Sequence, residues 1–238
     1  MNRRLGLACL AALTLSAAPA QADVITSLFN TGIAAGGGLA AEGSIDPHWT
    51  LTSNPDGSGA NAYVGVTQGF PIADAWIPNQ SNAQWIMPTS GTADNHAAGA
   101  YTYQTKFDLT GFDPTTASIN FRVAADNRVT GVFLNGNNVG FSYAGPSGNG
   151  TDAFAAFSDN FTISNPAFFQ NGVNTLQFQV ENDPVDAAAA GCYKVQNPTG
   201  MMAVLCGKAC PVPEPSTYAM VGLALAGFAA RRARRKAA

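Results

Sequence analysis

The sequence predicts an all-β domain, a two-sheet antiparallel sandwich, carried between two removable terminal segments. Three observations predict it. Apolar and polar residues alternate along several stretches, no long stretch between the termini keeps a helical period, and each end carries a short basic-and-apolar address.

The elements follow in chain order. Asn2-Arg3-Arg4 is a basic lead, residues 5–18 are apolar, and Ala20-Gln21-Ala22 is an A-x-A cleavage site. Residues 1–22 are therefore a signal peptide, and the mature chain begins at Asp23. Cys9 lies inside the apolar run, before the cleavage site, so it is not a lipid-bearing first residue. Short strands are expected at 24–29, 49–52, 63–66, 84–86, 160–163 and 201–205. Longer ones show alternation. Over 101–109, Tyr101, Tyr103, Phe107 and Leu109 share one face, with Gln104, Lys106 and Asp108 on the other. Residues 118–123 repeat the pattern, and 174–181 turn Leu176, Phe178 and Val180 inward. Residues 129–134 run into Asn135-Gly136, a pair that tolerates the positive φ of a tight hairpin turn. Strands wet on one side and dry on the other give a sandwich.

The chain ends in Val212-Pro213-Glu214-Pro215-Ser216-Thr217, an uncharged apolar stretch at 218–230, and the basic run 231–236. A helix over 218–230 is about 20 Å long at 1.5 Å per residue, short for a bilayer core that takes roughly 20 apolar residues. The prolines keep the preceding peptide extended and accessible, and the basic run holds to the cytoplasmic side. This order resembles the PEP-CTERM sorting signal of bacterial surface proteins. The resemblance, confined to 211–238, implies export, processing by signal peptidase and exosortase, and a membrane-tethered intermediate. Delivery to the surface or extracellular matrix of a Gram-negative-type bacterium follows.

Setting both signals aside changes the charge. The whole chain carries −3, but between Asp23 and Cys210 only Lys106, Arg122, Arg128, Lys194 and Lys208 face fourteen acids, leaving about −9. Such a domain lacks the basic patch that nucleic-acid binding requires. Its many Asn, Gln, Ser, Thr and Gly suit a neutral polar ligand or a hydrated matrix.

A second resemblance spans residues 44–205, within a domain at 23–210. Asp46-Pro47-His48-Trp49-Thr50-Leu51, Ala83-Gln84-Trp85-Ile86, the 101–109 strand, Ala124-Ala125-Asp126-Asn127, Val132-Phe133-Leu134-Asn135-Gly136 and Gly172-Val173-Asn174-Thr175-Leu176-Gln177-Phe178 look like a galactose-binding-like jelly roll. That family includes carbohydrate-binding modules, with ligand loops at one end, and domains without a known ligand.

Each candidate site residue has two readings. Trp49 and Trp85 lie in apolar strands and read as core, whereas Trp76, beside Pro78, reads equally as a platform for a sugar face. Asp126, Asn127 and Arg128 link two strands and offer an acceptor, an amide and a cation to sugar hydroxyls, or form an ordinary turn. Asn182 and Asp183, ending another strand, carry the same pair of readings. No metal or cofactor is expected; Asn54-Pro55-Asp56-Gly57-Ser58-Gly59 and Asp183-Pro184-Val185-Asp186 supply oxygens that calcium could use, but neither has calcium-loop spacing. Cys192 is expected to pair with Cys206 or Cys210 in the oxidising envelope, leaving one thiol over. His48 and His96 belong to no nucleophile motif, so the chain reads as a non-enzyme. The expected function is that of a surface or matrix protein holding exopolysaccharide or another glycan. The alternatives are a structural biofilm protein without a defined ligand and an exported glycoside hydrolase.

Overall fold

Among the described residues eleven strands carry the fold: β1 (Asp23–Val24), β2 (Ile45–Ser53), β3 (Asn61–Val64), β4 (Ile86–Met87), β5 (Gly99–Asp108), β6 (Ser118–Asp126), β7 (Arg128–Leu134), β8 (Asn137–Asn138), β9 (Phe161–Ile163), β10 (Val173–Asn182) and β11 (Gly200–Ala209). The computed structural model describes residues 21–91, 95–185 and 196–212, and the helical positions 222, 224–228 and 232. Most of the signal peptide and of the sorting tail, with Ala20 and Pro213 to Thr217, lies outside the described residues. Among the described residues no helix is long and apolar enough to cross a membrane.

The architecture is nearly all-β, as the alternation predicts, and every strand pairing is antiparallel. The expectation of two separate sheets is corrected. Hydrogen bonding runs through one curled sheet in the order β8-β7-β10-β5-β2-β3-β4-β11-β6-β9, with β1 added to β11. The short β3 and β4 carry the ladder around the corner from β2 to β11. Strand twist accumulates enough over such a ladder to bring its two arms face to face.

The inward faces of those arms form the main core. Tyr101, Tyr103 and Phe107 of β5, Leu176, Phe178 and Val180 of β10, and Phe121 and Val123 of β6 are buried. Phe178 meets Trp49 at 5.9 Å and, across the core, Phe121 edge-on at 5.2 Å. Each such aromatic contributes about 1.5–3 kcal/mol through area removed from water.

A second core lies on the outer face of β11 and β6. Ala124 and Met202 point outward there and join Ile72, Trp76, Ala83, Trp85 and Met87. Loop segments around residues 72–77 and 154–157 cover this face, supplying Ile72, Trp76, Ile77, Phe154 and Phe157. Trp49 and Trp85 are both fully buried.

The turn after β7 has positive φ at both Asn135 (50°) and Gly136 (81°), the conformation that a two-residue hairpin demands. The expected strand at 24–29 is shorter than its apolar content suggests, pairing only at Asp23 and Val24. Beyond it, side chains replace the ladder: Asn30 Oδ1 accepts the Leu205 N–H at 2.6 Å and Thr31 Oγ1 accepts the Ala203 N–H at 3.0 Å.

The chain's two ends meet at one end of the domain. Asp23 pairs with Ala209, Pro211 bridges Phe112, and the Val212 N–H donates to the Gly111 carbonyl at 2.8 Å. We call this end the base. At the other end of β11, Gly200 lies opposite Asp126, roughly 30 Å away at a strand's rise per residue.

Candidate functional site

Two polar regions merit description: a knot of loops at the end opposite the base, and a groove on the open outer face of β2 and β5. The knot contains the residues singled out from the sequence. β6 ends at Asp126 and β7 begins at Arg128, so Asn127 alone makes the connection, through a cis Asp126–Asn127 peptide. The Trp76 indole N–H donates to Asp126 Oδ2 at 3.0 Å, and the Thr199 hydroxyl donates to the Asp126 carbonyl at 2.6 Å. Asp126 is 5 % exposed, and its Oδ1 has no protein partner. Burial pushes its carboxyl up to about 7; the Trp76 hydrogen bond opposes that shift and the Asp183 charge adds to it.

Around this carboxyl the loops are tied by amides. Asn127 Oδ1 accepts the Asp183 N–H at 2.7 Å. Asn182 Nδ2 donates to the Ala97 carbonyl at 3.0 Å, and Asn197 Nδ2 to the carbonyls of His96 and Asp183 at 3.2 and 3.1 Å. The His96 ring meets Asp56 Oδ2 at 2.6 Å, while Asp56 Oδ1 accepts the Ala97 N–H at 2.6 Å. Burial first, and then Asp56, hold the neighbouring Tyr101 phenol well above its usual range. Arg128 donates to Asp183 Oδ2 at 2.5 Å and to the Gly150 carbonyl at 3.1 Å, and the Asp183 carboxylate raises its guanidinium further.

The structure thus brings Trp76, Asp126, Asn127, Arg128, Asn182 and Asp183 together, but not as an open pocket. Two readings are corrected. Trp76 is 4 % exposed and lies 4.2 Å from Trp85, so its face is spent on the second core and is closed to a sugar. Asn182 is fully buried and its amide serves Ala97 and His96. Asp126 is likewise shut in. Only Arg128 and Asp183, each with about a third of the side chain exposed (31 % and 32 %), and part of Asn127 reach solvent.

In the 54–59 loop the oxygens that calcium could use already have partners. Its Asp56 carboxylate is taken by His96 and Ala97, and Asn54 Oδ1 accepts the Asp56 N–H. Among the described residues no three His, Cys, Asp or Glu side chains converge on a metal position. Asp186 and Cys192 lie outside the described residues. Cys206 is exposed on β11 and Cys210 follows the strand's end, about 13 Å further along an extended chain, beyond disulfide reach of each other.

The groove was not anticipated. Asp46, 2 % exposed, spends its carboxylate on three backbone donors: the N–H groups of Gly32 (2.7 Å), His48 (2.8 Å) and Trp49 (3.1 Å). These bonds hold a local irregularity in β2, whose register against β3 shifts between Ile45 and Thr50. There Trp49 turns into the core while His48 turns out, its ring stacked on Phe29 at 3.6 Å. Pro47, His48 and Thr50 of β2, with Gln104 and Lys106 of β5, line a cavity of about 260 Å³. It opens onto a flat polar face in which Gln177 of β10 donates to Gln104 Oε1 at 3.1 Å. A proline within a strand pattern marks an irregular or edge position and was the available signal. The groove itself needs the β2–β5 pairing, which no local pattern encodes.

Fold and terminal geometry define a class: an all-β domain whose first and last described strands, β1 and β11, pair at one end. Residues 211–235 match the family described as PEP-CTERM protein-sorting motif. That motif marks export, processing at the membrane and exosortase as the processing partner. No curated protein matches the chain.

Proposed function

We propose that this protein is a non-catalytic surface or matrix component that holds a polysaccharide once exosortase has processed its tail. The galactose-binding-like jelly roll is the version of its curled sheet that this reading adopts. The observation that carries the reading is the open face of β2, β5 and β10. Thr50, Thr52, Thr102, Gln104, Thr175, Gln177 and Gln179 form a surface of hydroxyls and amides, the groups that exchange hydrogen bonds with sugar hydroxyls. The reading shifts the glycan from the end loops, where Trp76 and Asp126 are buried, to this face. The closed state of His96 and Asp56 favours a binding role over hydrolysis, since a catalytic pair needs a route to substrate.

Pull-down of the full chain on the producing organism's own exopolysaccharide tests the reading. Retention that weakens in Gln104→Ala/Gln177→Ala supports it, and no retention on any polysaccharide sinks it. Delivery is tested separately by replacing Pro213, Glu214 and Pro215 with alanine. Unprocessed precursor should then accumulate in the inner membrane, and normal surface delivery would refute the processing route.

A further inference from the structure

The groove beside β2 differs from the rest of the open face in charge. The described basic residues of the domain are Lys106, Arg122, Arg128 and Lys208. Arg128 is engaged by Asp183, and Arg122 lies 4.3 Å over the Phe157 ring. Lys208 stands at the base, opposite Ser118. Lys106 is exposed, makes no ion pair among the described residues, and lines a concave site with a second nitrogen base, His48. No carboxylate lines that cavity. The nearest acid along β5, Asp108, lies two residues on along the same face, held charged by the N–H and the hydroxyl of Thr110 on its Oδ1 at 2.7 Å, and makes no ion pair with Lys106.

The walls are also prearranged. Asp46 fixes the backbone of His48, the Phe29 ring backs its imidazole, and Gln177 orients the Gln104 amide. Lys106 itself lies across the ladder from Thr175, and Gln104 from Thr50, so hydroxyls flank both lining side chains of β5. An ammonium among hydroxyls and amides, with no carboxylate in the cavity wall, matches a ligand that brings one carboxylate and several hydroxyls. Charge-assisted bonds from ammonium to carboxylate are the stronger kind, so this contact would set the register of the chain on the face.

We infer that the groove of Pro47, His48, Thr50, Gln104 and Lys106 seats an acidic sugar residue of a polysaccharide, its carboxylate on Lys106. This rests on the glycan-binding reading and narrows it to uronate-bearing chains. The domain's charge of about −9 narrows it again. A densely charged polyanion is repelled by the surrounding acids, whereas a spaced carboxylate meets the one local cation, with other charges screened beyond roughly 8 Å at physiological salt.

The experiment is calorimetric titration of the full chain in detergent. The probes are an oligosaccharide with one glucuronic acid per repeat and the same oligosaccharide after carboxyl reduction. Wild type should bind the acidic form at least about tenfold more tightly, the usual scale of a hydrogen bond to a charged group. Lys106→Gln, on an exposed position, should abolish that preference, bringing the ratio of the two affinities measured on the variant close to one. Equal binding of the two forms, or a preference that survives Lys106→Gln, overturns the acidic-sugar site while the glycan reading stands. Failure of both forms and of neutral polysaccharides to bind overturns site and glycan reading together.

Discussion

The outer face of β11 and β6 and the outer face of β5 and β10 belong to the same curled sheet, yet one is roofed and the other bare. On the roofed face the outward positions are Ala124, Met202 and Val204, and loops bring Trp76, Phe154 and Phe157 down upon them. On the bare face they are Thr102, Gln104, Lys106, Thr175, Gln177 and Gln179. The ladders are of similar length, ten pairs between β10 and β5 and nine between β11 and β6, so backbone pairing does not decide which face attracts a cover. The decision sits in every second residue. Apolar outward residues gain free energy when a loop removes them from water; hydroxyls and amides lose hydration unless a partner replaces it.

Substitutions that remove the roof should be the most damaging. Trp85→Ala, at a fully buried position stacked on Trp76, should cost about 3–5 kcal/mol in urea unfolding. A loss below 1 kcal/mol would mean that the roof is not part of the cooperative unit. The next effect separates the faces by pH. Asp126, under Trp76, has its folded pKa raised from 3.8 to about 7, so folding takes up a proton between those values. Its contribution is complete below pH 3.8 and is lost as pH rises through about 7. Stability of wild type relative to Asp126→Asn should fall across that window by a few kcal/mol at most. Identical pH profiles would place the carboxyl in water.

Smaller effects belong to the rim and the bare face. Arg128→Ala breaks a partly exposed ion pair and should cost about 1 kcal/mol or less, with the loss shrinking in high salt. Gln104→Ala should change stability by no more than about 0.5 kcal/mol while weakening glycan retention. Destabilisation equal to that of Trp85→Ala would show the bare face to be structural.

Much of the contrast was legible in the chain. Strict alternation over 101–109 and 174–181 announced faces wet on one side, and the inward sets Tyr101, Tyr103 and Phe107 and Leu176, Phe178 and Val180 are buried. The unbroken apolar runs Ala124-Ala125 and Met201-Met202-Ala203 carried the opposite message, burial on both sides. Trp76 was harder, because its segment between Pro71 and Pro78 has no period and its role exists only once β6 is beneath it. The burial of Asp126 and Asn182 was hidden for a related reason. Polar residues at strand ends look alike in sequence whether they face water or the polar groups of converging loops. The groove depends on Asp46 bending β2, and a buried carboxylate spent on backbone amides leaves no mark in composition.

The meeting of both ends at the base also has a mechanical side. β11, the strand that precedes the sorting tail in sequence, is an inner strand whose register with β6 comprises nine residue pairs from Gly200–Asp126 to Lys208–Ser118. A pull applied along β11 loads those pairs together as shear, whereas a pull across an edge strand would open them one by one. A domain pulled through β11 would therefore resist along the direction in which its backbone pairs share the load.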